Sequence, residues 1–189
     1  WKEKKQSFFL NLWFVAPHTP YEPAPEPHLS KYAKLGVQGD QLYFRSMVSH
    51  LDANIGKVIQ ELKDLDLYDN TIIIFTSDNG PAFQGSPGPF KGGKTDLHEG
   101  GIRVPGIVVW PGHVPEGAHT FQTGHMADIL PTVCEALGIK TIPADLDGKS
   151  ILPLLTAKTD EVDHGILLWQ MDLYTHFQNQ GPKPIPYVT

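Results

Sequence analysis

The sequence lacks several features that mark whole classes of protein. It has 189 residues and one cysteine, Cys134, so it can form neither an internal disulfide nor a cysteine-rich metal site. No apolar stretch reaches the roughly 18 residues that a membrane-spanning helix needs. The net charge is −6, and no basic run of the kind that binds nucleic acid is present. We therefore expect no nucleic-acid partner and no membrane partner.

The composition that remains is that of a folded, globular chain. Hydrophobic residues make up 40% of the sequence, an ordinary value for a protein with a core. Gly and Pro number 18 and 17, which is below the share typical of low-complexity chains and predicts many specific turns. Because the sequence opens with Trp1 and enters an apolar run within seven residues, we expect it to be a piece of a longer protein.

Strand-like and helix-like segments alternate along the first half of the chain. Residues 7–16 are almost all apolar, which is typical of a strand buried on both faces of a parallel sheet. From Asp40 to Leu65, apolar residues recur every three or four positions and predict a long amphipathic helix. Residues 71–76 are mostly β-branched and predict a second buried strand. Together they indicate a βαβ unit, and hence an α/β fold with a mostly parallel sheet flanked by helices.

Other segments are shorter. Residues 107–110 and residues 165–170 each predict a further strand. A helix is predicted from near Asp128, as its N-cap, to Leu137, with Gly138 at the C-terminal end. Residues 17–39 are predicted to be a functional loop, because plain connections of that length are uncommon.

Polar groups follow the predicted strands, and each has two interpretations. Asp78 and Asn79 offer hard oxygen donors suited to Ca²⁺ or Mg²⁺, although Asp-Asn-Gly is also common turn chemistry. His18 can transfer protons near neutral pH, or can simply bond to a backbone carbonyl. The glycine-rich residues 90–105 can approach and bind an anion, or can form a flexible surface loop. Cys134 fits a small buried hydrophobe better than a nucleophile.

Read in order, these segments resemble the type I sulfatases of the alkaline-phosphatase-like superfamily. The likeness rests on PHTPY at 17–21, TSDNG at 76–80, EGGIRVP at 99–105 and MADILPTVCEALG at 126–138. It implies that residues 1–155 are part of the catalytic α/β domain of such an enzyme, which is therefore incomplete here. Residues 156–189 would begin a truncated C-terminal subdomain.

The resemblance also implies an activity and a set of site residues. Such enzymes are sulfuric ester hydrolases that use a formylglycine, made from a Cys or Ser, and a divalent cation, usually Ca²⁺ and less often Mg²⁺. Asp78 and Asn79 match two of the metal ligands. His18 matches the histidine that contacts the sulfate and protonates the leaving oxygen. Lys94 matches the lysine that binds the sulfate oxygens, because it, and not Lys91, stands five residues before Glu-Gly-Gly.

Other parts of such a site do not occur in these residues. The family's formylglycine motif with its arginine, its first pair of metal-binding aspartates, and a further lysine and histidine normally come earlier in the chain. We expect the missing N-terminal part of the same protein to supply them, and the chain alone to be inactive. The expected partner is a sulfated small molecule or glycan, including aryl sulfates. A periplasmic, secreted or lysosomal location agrees with the resemblance, and the sequence does not choose among them.

Two alternatives stay open. A two-metal phosphatase or phosphodiesterase of the same superfamily would carry Asp-His in place of Asp78-Asn79, because zinc and manganese ions favour imidazole there. A non-catalytic module that binds sulfate or carbohydrate needs no nucleophile at all. A formylglycine motif in the upstream sequence would decide in favour of an enzyme.

Overall fold

The computed structural model describes residues 6–172 and 184–188. The chain divides into two compact units, Trp1–Leu65 and Asp66–Thr189. Among the described residues, no helix has both the length and the apolar character needed to cross a membrane.

Two helices form the regular part of the first unit. Helix α1 spans His28–Ala33, and helix α2 spans Gly39–Asp64. The long helix is the one that the three-to-four-residue apolar spacing predicts. Asp40 lies in its first turn and Lys63 in its last, where each charge opposes the helix dipole. Helix α1 interrupts the predicted loop of residues 17–39; six residues among prolines are too few to show a periodicity.

The segment before α1 packs along α2 through polar contacts. The Ser46 side chain is fully buried; its hydroxyl donates to the Tyr43 carbonyl at 2.8 Å and accepts from Ala24 N–H at 3.3 Å. Tyr21 contacts Phe44 edge to face, with ring centroids 5.8 Å apart. These contacts hold the Pro-rich segment after His18 against the helix.

The prediction of a first strand at residues 7–16 is wrong. Residues 6–15 form no strand and are exposed throughout, with Phe9 82% and Trp13 87% exposed. Apolar residues favour burial, but a strand also needs a neighbouring strand to hydrogen-bond with its backbone N–H and C=O groups. Among the described residues, no β-strand pairs with this run.

The second unit contains the sheet that positions the candidate site. Strand β1, Ile73–Thr76, pairs with β2, Gly106–Val109, and the register places Ile73 opposite Val109. Both strands were predicted, but the pair is antiparallel. The predicted parallel pairing therefore does not occur among the described strands. Residues 6–15 form no strand, and β1 pairs with β2, the next strand along the chain.

Two short helices follow β1 in this unit before the chain reaches residue 140. Helix α3 spans Glu99–Ile102, and helix α4 spans Ile129–Ala136. The latter confirms the helix predicted near Asp128, and Gly138 beyond it has the positive φ, +68°, of a helix-ending glycine. Two 3₁₀ turns, Tyr68–Asn70 and Met126–Asp128, precede β1 and α4.

Asp128 joins three segments at the start of α4, although its side chain does not cap that helix. Its buried carboxylate accepts from His125 N–H at 2.7 Å and from Lys149 N–H at 2.9 Å. The buried His164 Nε2 lies 2.8 Å from the same carboxylate. Nothing in the sequence pattern indicated this cluster beyond the N-cap prediction.

The last described elements are helix α5, Leu152–Leu155, and an antiparallel pair of β3, Leu168–Asp172, with β4, Pro184–Val188. Strand β3 overlaps the strand predicted at residues 165–170. The predicted subdomain of residues 156–189 falls partly outside the described residues, and its boundary stays a prediction.

Candidate functional site

Asp78 and Asn79 lie in a turn directly after β1. We call residues 77–81 the DNG turn. Asp78 is exposed and Asn79 is half-buried. The Ser77 hydroxyl donates to the Asn79 carbonyl at 3.0 Å, which closes the turn on itself. The structure confirms the turn interpretation, and the cation-binding role of Asp78 and Asn79 stays a prediction.

Gly80 lets the DNG turn pack closely against helix α3. Its N–H donates to the Gly101 carbonyl at 2.8 Å. A Cβ at position 80 would lie only 1.9 Å from the Gly100 carbonyl oxygen. Only glycine therefore fits, because the obstacle is backbone that cannot rotate away.

Lys94 lies in a loop that is joined to the same turn. We call residues 91–98 the lysine loop. Lys94 N–H donates to the Pro81 carbonyl at 2.8 Å, so its backbone lies beside the end of the DNG turn. The Lys94 side chain is half-buried, whereas Lys91 is exposed. The structure thus brings three predicted site residues, Asp78, Asn79 and Lys94, into adjoining segments.

The lysine loop wraps around two glycines of α3. Gly100 N–H donates to the Lys91 carbonyl at 2.7 Å. A Cβ at Gly100 would lie 2.5 Å from the Lys91 and Gly92 carbonyl oxygens, and one at Gly101 would lie 1.9 Å from the Asp96 carbonyl oxygen. The Glu-Gly-Gly sequence is therefore what lets the loop close.

Within the lysine loop, Asp96 and His98 contact each other. The Asp96 carboxylate accepts from His98 N–H at 2.9 Å and is also bonded to His98 Nδ1. The backbone hydrogen bond, followed by the side-chain one, holds the pKa of Asp96 below its usual value. Leu97 between them is buried.

Arg103 contacts Glu99 in helix α3 and Phe90 just before the lysine loop. Its guanidinium pairs with Glu99 at 3.1 Å and lies 4.7 Å from the centre of the Phe90 ring. Sequence reasoning had assigned no role to these three residues. The i, i+4 spacing of Glu99 and Arg103 was the one signal that could have indicated the pair.

His18 lies in the first unit, in the turn after residues 6–15, and is exposed. Its Nδ1 lies 2.7 Å from the Thr19 carbonyl oxygen. Because a carbonyl can only accept, Nδ1 carries the hydrogen, and Nε2 is the nitrogen that can take up or release a proton. Its place beside the three residues of the second unit stays a prediction.

The DNG turn fits a hard cation in chemistry but supplies few ligands. Asp78 and Asn79 offer a carboxylate and an amide oxygen, the donor types that Ca²⁺ and Mg²⁺ prefer. Ca²⁺ takes about 6–8 oxygens, so two side chains fill a minority of its positions. Within the described residues, no group of three or more His, Cys, Asp or Glu is arranged to hold a metal.

Solved structures share this fold. Ps i-CgsB, solved in complex with k-i-k-neocarrahexaose, matches with a TM-score of 0.68 and 35% identity, over 73% of this chain and 31% of that one. Phosphonate monoester hydrolase of Agrobacterium radiobacter matches with a TM-score of 0.57 and 30% identity, over 74% of this chain and 27% of that one. The class is the alkaline-phosphatase-like sulfatase fold, of which this chain holds part, and the predicted α/β class is confirmed.

Sequence comparison identifies the family. A family model described as Sulfatase matches residues 1–139, and the chain belongs to the sulfatase family. Human N-acetylgalactosamine-6-sulfatase is 39% identical over 156 residues, which cover 78% of this chain and 28% of that protein. The chain therefore spans less than a third of the length of this relative.

Proposed function

We propose that this chain supplies part of the active site of a sulfuric ester hydrolase, a Ca²⁺-dependent formylglycine sulfatase. The observation that carries the proposal is the joint between the DNG turn and the lysine loop, in which Lys94 N–H donates to the Pro81 carbonyl at 2.8 Å. The joint keeps a pair of cation ligands and a positive charge in adjoining segments, and a sulfate ester needs both.

Lys94 would bind the sulfate oxygens. Its ammonium is a compact charge with three donors. Lys94 as a residue is half-buried, and an electrostatic interaction at such a position is screened less than in bulk water. Gly92 and Gly93, which precede Lys94, let the backbone approach an anion without a Cβ in the way. Charge that develops on the sulfate group during ester cleavage would be stabilised at this position.

Asp78 and Asn79 would hold the cation through their oxygens. When bound, Ca²⁺ supplies Lewis-acid stabilisation and orients the sulfate group. The chain's own part is the geometry of the DNG turn, which the Ser77 hydroxyl and Gly80 N–H hold in place. The remaining cation ligands would come from other parts of the protein.

His18 would protonate the leaving oxygen. The carbonyl of Thr19 holds the ring by Nδ1–H, so Nε2 is left to carry the mobile proton.

The substrate would be a sulfated carbohydrate or an aryl sulfate. The human relative is named for a sulfated sugar, N-acetylgalactosamine 6-sulfate, and Ps i-CgsB was solved with an oligosaccharide, neocarrahexaose. These names belong to those proteins, and they support a glycan as the first class of substrate to test here.

The rest of the protein would supply the nucleophile and the other cation ligands. Two observations support this division. The matched relative is more than three times as long as the matched stretch. Cys134 is 8% exposed within helix α4, far from any candidate ligand in sequence, so it suits packing and not chemistry.

The test uses the complete protein with 4-nitrophenyl sulfate and 4-nitrophenyl phosphate as paired substrates. We expect the sulfate ester to be cleaved faster, activity to fall after treatment with a chelator, and Ca²⁺ to restore it. Cleavage of neither ester, or activity that is indifferent to chelation, would contradict the proposal.

A phosphoryl or phosphonyl ester hydrolase is the second candidate, and the match to the phosphonate monoester hydrolase favours it. Asn79 opposes it, because an amide oxygen is a poor ligand for the metals that activate such sites. In the same assay, a faster phosphate or phenylphosphonate ester, restored by Zn²⁺ or Mn²⁺ instead of Ca²⁺, would select this candidate.

A further inference from the structure

Lys94 occupies the middle of a strained turn. Asp96 N–H donates to the Gly93 carbonyl at 3.0 Å, which makes residues 93–96 a β-turn with Lys94 and Thr95 at its centre. Thr95 has a φ of +73°. The third position of such a turn normally takes Gly or Asn, and a β-branched residue is strained there because its Cβ crowds the neighbouring backbone. Such strain persists only where the surroundings hold it.

The Asp96 carboxylate is positioned to hold the turn in this form. It accepts from His98 N–H at 2.9 Å and is bonded to His98 Nδ1, so the end of the turn is tied to the residue that precedes α3. A Cβ at Gly92 would lie 2.9 Å from the carboxylate carbon. The carboxylate therefore fills the space inside the loop.

We propose that Asp96, held by His98, is a positioning residue for Lys94: it keeps the Lys94–Thr95 turn in its strained form and so fixes the lysine in the site. The proposal rests on the proposed function for its substrate. Asp96 acts on the loop and needs no contact with the ester. Its partner His98 in turn anchors α3, because the His98 carbonyl accepts from Gly101 N–H at 2.8 Å.

The ionisation of Asp96 agrees with this role. Its pKa is lowered from 3.8, chiefly by the His98 backbone N–H, then by the His98 ring, with Lys91 adding a smaller effect. A lowered folded-state pKa means that the carboxylate contributes stability above pH about 4 and loses it as pH falls through the folded value. The side chain is 40% exposed, so the contribution is small.

A double-mutant cycle in the complete protein tests the proposal. With 4-nitrophenyl sulfate, we expect Asp96→Ala to lower kcat/KM by about 10–100-fold, because small displacements of a positioned group are costly. In a Lys94→Ala background, Asp96→Ala should cost less than about threefold, since it acts through the lysine. Thr95→Gly should restore most of the activity of Asp96→Ala, because glycine adopts this φ without support. Additive losses, or no rescue, would overturn the proposal.

A second readout does not depend on activity. Limited trypsin digestion should cut after Lys94 faster in Asp96→Ala than in the wild type, while cutting after Lys57, within helix α2, stays unchanged. If wild type cleaves no sulfate ester, the proposed function fails while the digestion still judges the turn. Unchanged cutting after Lys94 would overturn the proposal. If Asp96→Ala fails to fold, Asp96→Asn replaces it, because its amide oxygen keeps one acceptor but loses the charge.

Discussion

The ring of His18 is held by one nitrogen, and this leads to a prediction about leaving groups. His18→Ala in the complete protein should lower the hydrolysis of a sugar sulfate by about 10²–10⁴, since general-acid help matters most for a basic leaving oxygen. A 4-nitrophenyl ester, whose leaving group needs little protonation, should lose far less. Equal losses with both substrates would make His18 a sulfate contact and not an acid.

Asp128 carries a prediction about stability. Asp128→Ala would leave two backbone donors and His164 without their buried partner, and should lower the free energy of unfolding by about 3–5 kcal/mol. Asp145→Ala, at an exposed carboxylate of the same unit, should change it by less than about 0.5 kcal/mol. Urea unfolding measures both, and similar losses for the two variants would contradict the role given to Asp128.

The sequence predicted the candidate site residues but not the residues that hold them in place. Donor chemistry indicated Asp78 and Asn79, the resemblance to the sulfatases implied Lys94, and the structure brings the three residues into adjoining segments. Asp128 was predicted only as a helix cap, and its contact with His164 crosses 36 positions. The Asp96–His98 contact and the positive φ of Thr95 depend on how the loop closes. A pattern of residue types does not predict that closure.

Between elements, the joint of the DNG turn with helix α3 leads to a matched pair of glycine substitutions. Gly80→Ala would force a Cβ within 1.9 Å of a backbone oxygen, and should cost about 1–3 kcal/mol or more while abolishing activity. Gly106→Ala, in strand β2, meets no atom within 4 Å and should be neutral or slightly stabilising. Thermal unfolding and ester hydrolysis should separate the two variants. Equal behaviour would mean that the joint does not support the site.

Local sequence patterns predicted several helices and strands, but not how the strands pair. Helices α2 and α4 follow from apolar spacing and from the Asp128 and Gly138 signals at the ends of the second helix. Strands β1 and β2 follow from short β-branched runs, but their antiparallel pairing does not. Which strand pairs with which is a choice among distant segments, and the apolar run at residues 6–15 shows that composition alone does not make a strand.

These 189 residues alone should be unable to hydrolyse sulfate esters, even with Ca²⁺ in excess. Asp78 and Asn79 would supply only two of the about 6–8 ligands that Ca²⁺ takes, and the formylglycine motif that the covalent route requires does not occur in these residues. Calorimetric titration with Ca²⁺ and an aryl sulfatase assay on these 189 residues check both statements. Tight stoichiometric binding of Ca²⁺, or turnover that Lys94→Ala removes, would refute this prediction.

The most direct measurement compares two lysines of one loop. In the complete protein, Lys94→Ala should lower kcat/KM for 4-nitrophenyl sulfate by about 10²–10³, the usual cost of removing one positioned charge stabiliser. Lys91→Ala removes an exposed charge three positions away and should cost less than about threefold. Circular dichroism confirms that both variants fold. Equal losses at the two lysines would contradict the account, because they would show that Lys94 is not the residue that binds the sulfate.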